Sequence, residues 1–220
     1  DGSDGSSGNV FALTTVAPIY PLYIRDEKGN IMYNSTTGIK SYDYGDGLIN
    51  GVLRPYIQQA NPLCSNQLDT NESEGNSVNA IGFAEVRFLK DFKFTSTNSV
   101  SSEETRSTIT TNPWFGQYAS QNGAITVEHD RTWSYNYQQL LTWHHQFDQH
   151  EVDAMLGHEY YRRRYYVLYG DKTNMYTFPS NDMASAVNTG STNSYRNDYN
   201  TEGWFGRVQY NYDQKYFASM

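Results

Sequence analysis

The run Thr132-Trp-Ser-Tyr-Asn-Tyr-Gln-Gln-Leu-Leu-Thr-Trp-His-His-Gln-Phe147 decides how this chain folds. Its odd positions are Trp133, Tyr135, Tyr137, Gln139, Leu141, Trp143, His145 and Phe147. Its even positions are Thr132, Ser134, Asn136, Gln138, Leu140, Thr142, His144 and Gln146. Six of the eight odd residues are apolar or aromatic, and seven of the eight even ones are polar. A hydropathic period of two predicts a β-strand with one wet and one dry face. Ordinary strands average about 5–6 residues, so this one is long.

The same unit recurs on both sides. After a sharp turn at Asp148-Gln-His150, Val152, Ala154 and Leu156 fall on one face, with Asp153, Gly157 and Glu159 on the other. Upstream, Gly82, Ala84, Val86 and Phe88 alternate with Phe83, Glu85 and Arg87. A turn at Lys90-Asp91 then leads into Phe92-Lys-Phe94. Downstream, Trp204, Gly206, Val208, Tyr210 and Tyr212 alternate with Phe205, Arg207, Gln209 and Asn211, before a turn at Asp213-Gln-Lys215. The short turns sit near 91, 149 and 214, and the long polar connections run from about Ser96 to Ala124 and from Tyr169 to Thr201. Short turns at one end and long loops at the other suit an antiparallel transmembrane β-barrel. A soluble or surface-anchored β-sandwich that binds carbohydrate also alternates, and is the alternative reading. Residues 1–80 are turn-rich and predict an extracellular loop and hairpin region. Within it, Ala17–Ile24 reads as an edge strand or extended loop, Asp26–Asn30 as a turn, and Tyr42–Gly47 as loop. Residues 81–220 predict the barrel wall, with its short turns on the periplasmic side.

Composition limits the function classes. Leu, Val, Ile and Phe make up under a fifth of the 220 residues, yet there are 20 tyrosines. That balance excludes a Leu-rich helical core and suits β-structure with long polar loops. The formal net charge of −8 gives no attraction for polyphosphate, so no nucleic-acid partner is expected. The one basic cluster, Arg162-Arg163-Arg164 between tyrosine pairs, is a small footprint for such binding. Cys64 is the only cysteine, which leaves no intrachain disulfide. No segment reaches the ~20 apolar residues of a membrane-spanning helix, which says nothing of a barrel.

The tight-turn units carry a resemblance. Gln139–Phe147 followed by His150-Glu-Val-Asp-Ala-Met-Leu-Gly-His-Glu159 resembles a strand pair of the SusC/RagA family of TonB-dependent outer-membrane transporters. Glu202–Phe217 looks like the next segment of that family. Ala84–Phe92 and Asn61-Pro-Leu63 look like the preceding one, and Pro18–Tyr23 with Asp26–Met32 an outer loop. The matches are collinear. The resemblance implies a nutrient importer of the bacterial outer membrane that takes up oligosaccharides or peptides. A SusD-like surface lipoprotein would be its partner, and TonB would act through a plug domain. Plug and C-terminal strands have no counterpart here. About 22 strands of about 10 residues would consume the whole chain without loops, so the sequence reads as about six strands of a larger, 22-stranded barrel.

Candidate site residues follow from the phases and loops. Trp133, Leu141, Trp143, Phe147, Trp204, Val208 and Tyr210 are expected to face lipid, several of them as an interfacial girdle. Glu85, Arg87, Glu159 and Arg207 are expected to face the lumen, paired with one another or with the plug. The loop aromatics Trp114, Phe115, Tyr118, Tyr176 and Phe178 are candidates for contact with ligand or partner, since aromatic faces stack on sugars. No catalytic residue, metal ligand set or cofactor is expected. Glu128-His129-Asp130 has ligand-type residues, but neighbours on a strand point to opposite faces. A glycoside hydrolase would need two carboxylates ~5–9.5 Å apart, and no pair stands out. The opening Asp-Gly-Ser-rich run fails as a calcium loop, because Ala12 stands where Glu is needed.

Overall fold

The computed structural model describes residues 17–35, 37–47, 49–56, 61–116 and 118–220. The Asp-Gly-Ser-rich run at 1–8, expected as loop, lies outside them. The described residues form one six-stranded antiparallel sheet in the order β1 to β6, each strand pairing with its neighbours in sequence. The strands are β1 Thr70–Phe88, β2 Phe92–Thr111, β3 Ala124–Phe147, β4 His150–Met175, β5 Ala186–Tyr212 and β6 Tyr216–Ser219. The first five run from 19 to 27 residues, several times the usual length. A sandwich needs a second sheet, and the described residues form no second multi-stranded one.

The three tight turns stand where alternation breaks. Leu89 and Lys90 adopt φ of 49° and 64°, and Asp213 and Gln214 φ of 49° and 55°. Asp148 adopts φ 53°. Consecutive left-handed residues are the signature of the hairpin turns whose twist matches that of the strands. At the last turn the Lys215 amide donates to the Tyr212 carbonyl at 2.9 Å, and Tyr212 pairs with Tyr216 across it.

The expected long connections are shorter than read. β2 continues to Thr111 and β5 begins at Ala186, so the links shrink to residues 112–123 and 176–185. β1 likewise begins at Thr70. These extensions are rich in Ser, Thr, Asn and Glu on both phases, so they show no hydropathic contrast. Their backbones pair with long neighbours regardless, and Thr favours the extended chain.

The chain divides into two compact units. One comprises the described residues up to Ser73 with Arg106–Glu128 and Tyr169–Asn193, and the other Glu74–Thr105, His129–Leu168 and Ser194–Met220. In the first unit a small hairpin closes at Asp26–Asn30, where Asp26 Oδ1 accepts from the Lys28 and Asn30 amides at 2.9 and 2.8 Å. These bonds, the Asn30 amide first, hold the Asp26 carboxyl below its ordinary range. Asn61-Pro-Leu, read as a turn, opens helix α1 Pro62–Leu68. Asn61 caps it by accepting from the Cys64 amide at 3.1 Å, and Pro62 sits where no amide is needed.

Tyr42, Tyr44, Cys64 and Phe115 form the buried centre beside that helix. Asn112, itself buried, ties the centre together. It donates from its backbone and side chain to Asp69 Oδ1 at 2.8 and 2.7 Å, and accepts from the Phe115 amide at 2.8 Å. Burial pushes the Asp69 carboxyl up, against the pull of the Asn112 bonds. Burial likewise pushes the Cys64 thiol up to about 12. At pH 8 the folded protein should therefore leave Cys64 unmodified by iodoacetamide, whereas the denatured chain should react within minutes, read by peptide mapping. Rapid labelling under native conditions would show that this centre is open.

Candidate functional site

The second unit is a sheet with two chemically distinct faces, and side-chain contacts establish which residues share each. Phe92 lies against Trp143, Phe147 against His150, and His150 against Tyr210 and Tyr212. Gln139 and Trp204 both contact His158. Even positions of β1, β2, β4 and β5 therefore share a face with odd positions of β3. That face carries Trp133, Leu141, Trp143, Phe147, Trp204, Val208 and Tyr210, all seven residues assigned to the apolar phase. Trp133, Phe147, Trp204 and Val208 stand well exposed, Trp204 at 69%.

Near the short turns this face carries an unbroken run of rings. Phe88 meets Phe92 at 5.5 Å, Phe92 meets Trp143 at 6.4 Å, and the stack passes through His145 to Phe147. It continues through His150 at 5.2 Å to Tyr212 at 4.9 Å, and ends on Tyr216 at 6.3 Å. The run crosses all six strands. A second group, Tyr135, Tyr137 and Tyr160, lies about ten residues further along. The histidines on this face have polar partners: His145 pairs with Asp91 at 2.8 Å, His158 with Glu202 at 2.8 Å, and His150 with the Tyr210 hydroxyl at 2.5 Å.

The opposite face is polar. Glu85 accepts from Arg87 at 2.9 Å and pairs with Lys93 at 3.7 Å. Glu159 accepts from Asn136 at 2.9 Å. Arg207 lines a cleft of about 490 Å³ together with Arg87, Lys93, His144 and Asp153. The four residues assigned to the polar phase thus share this face, and Glu85 and Arg87 pair directly. Glu128, His129 and Asp130 diverge as strand geometry requires: His129 reaches Glu104 and Asp130 reaches the Tyr165 hydroxyl.

Sequence reading missed one constellation here. His144, Glu151 and Asp153 each bring a ligand-type atom within 4.8 Å of the others. These atoms are already engaged, His144 Nδ1 with Asp153 at 2.7 Å and Glu151 with Asn211 at 2.9 Å. They come from two strands joined by a turn, so no spacing along one strand announces them.

The loop aromatics, all in the first unit, separate by exposure. Phe115 is buried between Tyr42 and Tyr44, with ring centres at 5.3 and 6.1 Å. Trp114 is half-buried, edge-on to Phe178 at 5.1 Å. Tyr118 is half-buried, its carbonyl accepting from Gln121 and Gly123. Tyr176 presents its ring openly at 69% exposure, while its hydroxyl donates to the Ala184 carbonyl at 2.6 Å. Of the five, Tyr176 offers the most ring surface to another molecule.

Solved structures share this architecture. The chain superposes on the RagAB peptide transporter with a TM-score of 0.67 at 18% identity, covering 83% of this chain and 20% of that one. The likeness is one of fold. The RagAB peptide importer in its open-open state gives a TM-score of 0.67 at 18% identity, over 82% of this chain and 21% of that one. The closed-closed state gives 0.64 at 17% identity, over 86% and 19%. This chain therefore spans about a fifth of the length of those it matches. No protein-family model and no curated protein matches it. The resemblance read from the residues and the likeness of the folds point to the same wall of long antiparallel strands.

Within the sheet, Phe205 sits on the polar phase against its pattern, and its ring covers Gly157 on β4. A Cβ on Gly157 would collide with that ring. Aromatic cover of a strand glycine is a known device for filling the gap it leaves. Gly157→Leu should cost about 1–3 kcal/mol of stability by overpacking, and Phe205→Ala in the same chain should recover part of it. Unfolding titrations of the full-length protein would measure this coupling; strict additivity would refute the contact.

Proposed function

We propose that this chain is part of the wall of a TonB-dependent, SusC-like importer in the bacterial outer membrane. The observation that carries the reading is the dry face of the second unit, bounded by two aromatic groups. From Tyr137 to Phe147 is ten residues, about 33 Å along a strand at ~3.3 Å per residue. At the 35–45° tilt of membrane barrels that projects to about 25 Å, the height of their apolar band. Water would penalise so many exposed Trp, Phe, Leu and Val side chains by roughly 1.5–3 kcal/mol each, whereas lipid would not.

Lipid also dictates what must adjoin the sheet. A free strand edge in hydrocarbon leaves backbone groups without partners, at several kcal/mol each. The outer edges of β1 and β6 therefore pair with further strands of a longer polypeptide. The polar face then lines the lumen, where Glu85, Arg87, Glu159 and Arg207 meet a plug that TonB draws open. A SusD-like lipoprotein covers the outer mouth, and Trp114, Phe115, Tyr118, Tyr176 and Phe178 belong to the region that holds its loops. Transport by gated passage needs no covalent step. The solved structures of this fold are named for peptide import, which favours peptides over oligosaccharides as cargo.

The test is growth and fractionation. The full-length protein should sediment with outer membranes, and its deletion should abolish growth on one class of oligopeptide as sole amino-acid source. A deletion strain that loses growth on a polysaccharide instead would make the cargo glycan. A soluble protein, or unimpaired growth on every polymer, would sink the reading.

A further inference from the structure

Strand alternation splits the triplet Arg162-Arg163-Arg164 on β4 between the two faces. Arg163 lies on the polar face, its guanidinium 5.7 Å over the Tyr165 ring. Arg162 and Arg164 lie on the dry face, two and four residues beyond Tyr160, past the aromatic group far from the short turns. By the same alternation Arg131 on β3 and Arg196 on β5 share this face, both exposed. One carboxylate serves the cluster: Asp198 approaches Arg162 at 3.5 Å and Arg164 at 3.6 Å. Two further acids on this face, Glu104 and Glu202, hydrogen-bond His129 and His158, which leaves their negative charge in place.

We infer that Arg162 and Arg164, flanked by Arg131 and Arg196, bind the phosphorylated headgroup of an anionic membrane lipid. The inference rests on the membrane reading above. Four guanidiniums against Asp198, with Glu104 and Glu202 nearby, still leave a local positive excess in a chain of net charge −8. The Asp198 contacts are longer than the ~2.7–2.9 Å of strong charge-assisted bonds, so most donors remain free. A guanidinium fork matches phosphate oxygens two at a time, which the ammonium of lysine cannot do. Position completes the match. Interfacial Tyr and Trp mark headgroup level, and the arginines stand at the next outward positions, where lipid phosphates lie. Asp198 offsets one of the two charges and leaves the other.

Native mass spectrometry of the full-length protein in detergent tests this, with lipid A, dephosphorylated lipid A and inorganic phosphate as probes. Heat-modifiable migration on a gel confirms that each variant is a folded barrel. Lipid A should bind the wild type, and Arg162→Gln with Arg164→Gln should weaken it by about tenfold or more. Arg163→Gln, on the other face, should leave binding unchanged. Equal binding by the double variant, by dephosphorylated lipid A, or by inorganic phosphate alone would overturn the site. A wild-type protein that binds no lipid of any kind and fractionates as soluble would instead overturn the membrane reading beneath it.

Discussion

A β-strand has two faces, and the hydrogen-bond register decides which residues occupy each. Slipping one strand by a single residue would carry its whole apolar set to the wrong side. Everything else here depends on that register being held across six strands. The run of rings from Phe88 to Tyr216 can exist only because each turn returns the chain in phase. The left-handed residues at Leu89-Lys90, Asp148 and Asp213-Gln214 are the local means of doing so. None of them is glycine, so the turns carry some backbone cost that the long ladders on either side outweigh.

The two faces then take on separate chemistry. The apolar face of the second unit is built largely from rings, Phe92, Trp143, Phe147, Tyr210 and Tyr212 among them. An ordinary core packs side chains against side chains from every direction. The proposed barrel wall would need only one thin layer, turned toward a solvent that is itself apolar. Histidines within that layer are tolerated because neighbouring carboxylates and hydroxyls satisfy them, as Asp91 does for His145. The polar face pairs Glu85 with Arg87 and Lys93, and gathers Arg87, Arg207 and Asp153 along one cleft.

Much of this was legible in the residues. Alternation along Thr132–Phe147 announced β3, the tight turns fell where alternation broke, and the phase of each strand placed Trp143 opposite His144. Illegible were the strand extensions, because a stretch such as Ser101–Thr108 is polar on both phases and carries no contrast. Helix α1 also escaped notice, since seven residues opened by Asn61-Pro62 look like a turn until Asn61 is seen capping Cys64. The centre around Cys64, Tyr44 and Phe115 joins positions far apart in sequence. Pairs such as Gly157 with Phe205 are likewise set by register between strands, which no single strand encodes.

The central claim is that the face bearing Trp143 meets lipid and the face bearing His144 meets water. Spin labels placed one at a time along residues 139–146 of the full-length protein in bilayers test it most directly. Collision with oxygen, which concentrates in lipid, and with a water-soluble nickel chelate should alternate with a period of two. Positions 139, 141, 143 and 145 should favour oxygen, and positions 140, 142, 144 and 146 nickel. Equal accessibility at successive positions, or the opposite phase, would contradict the account.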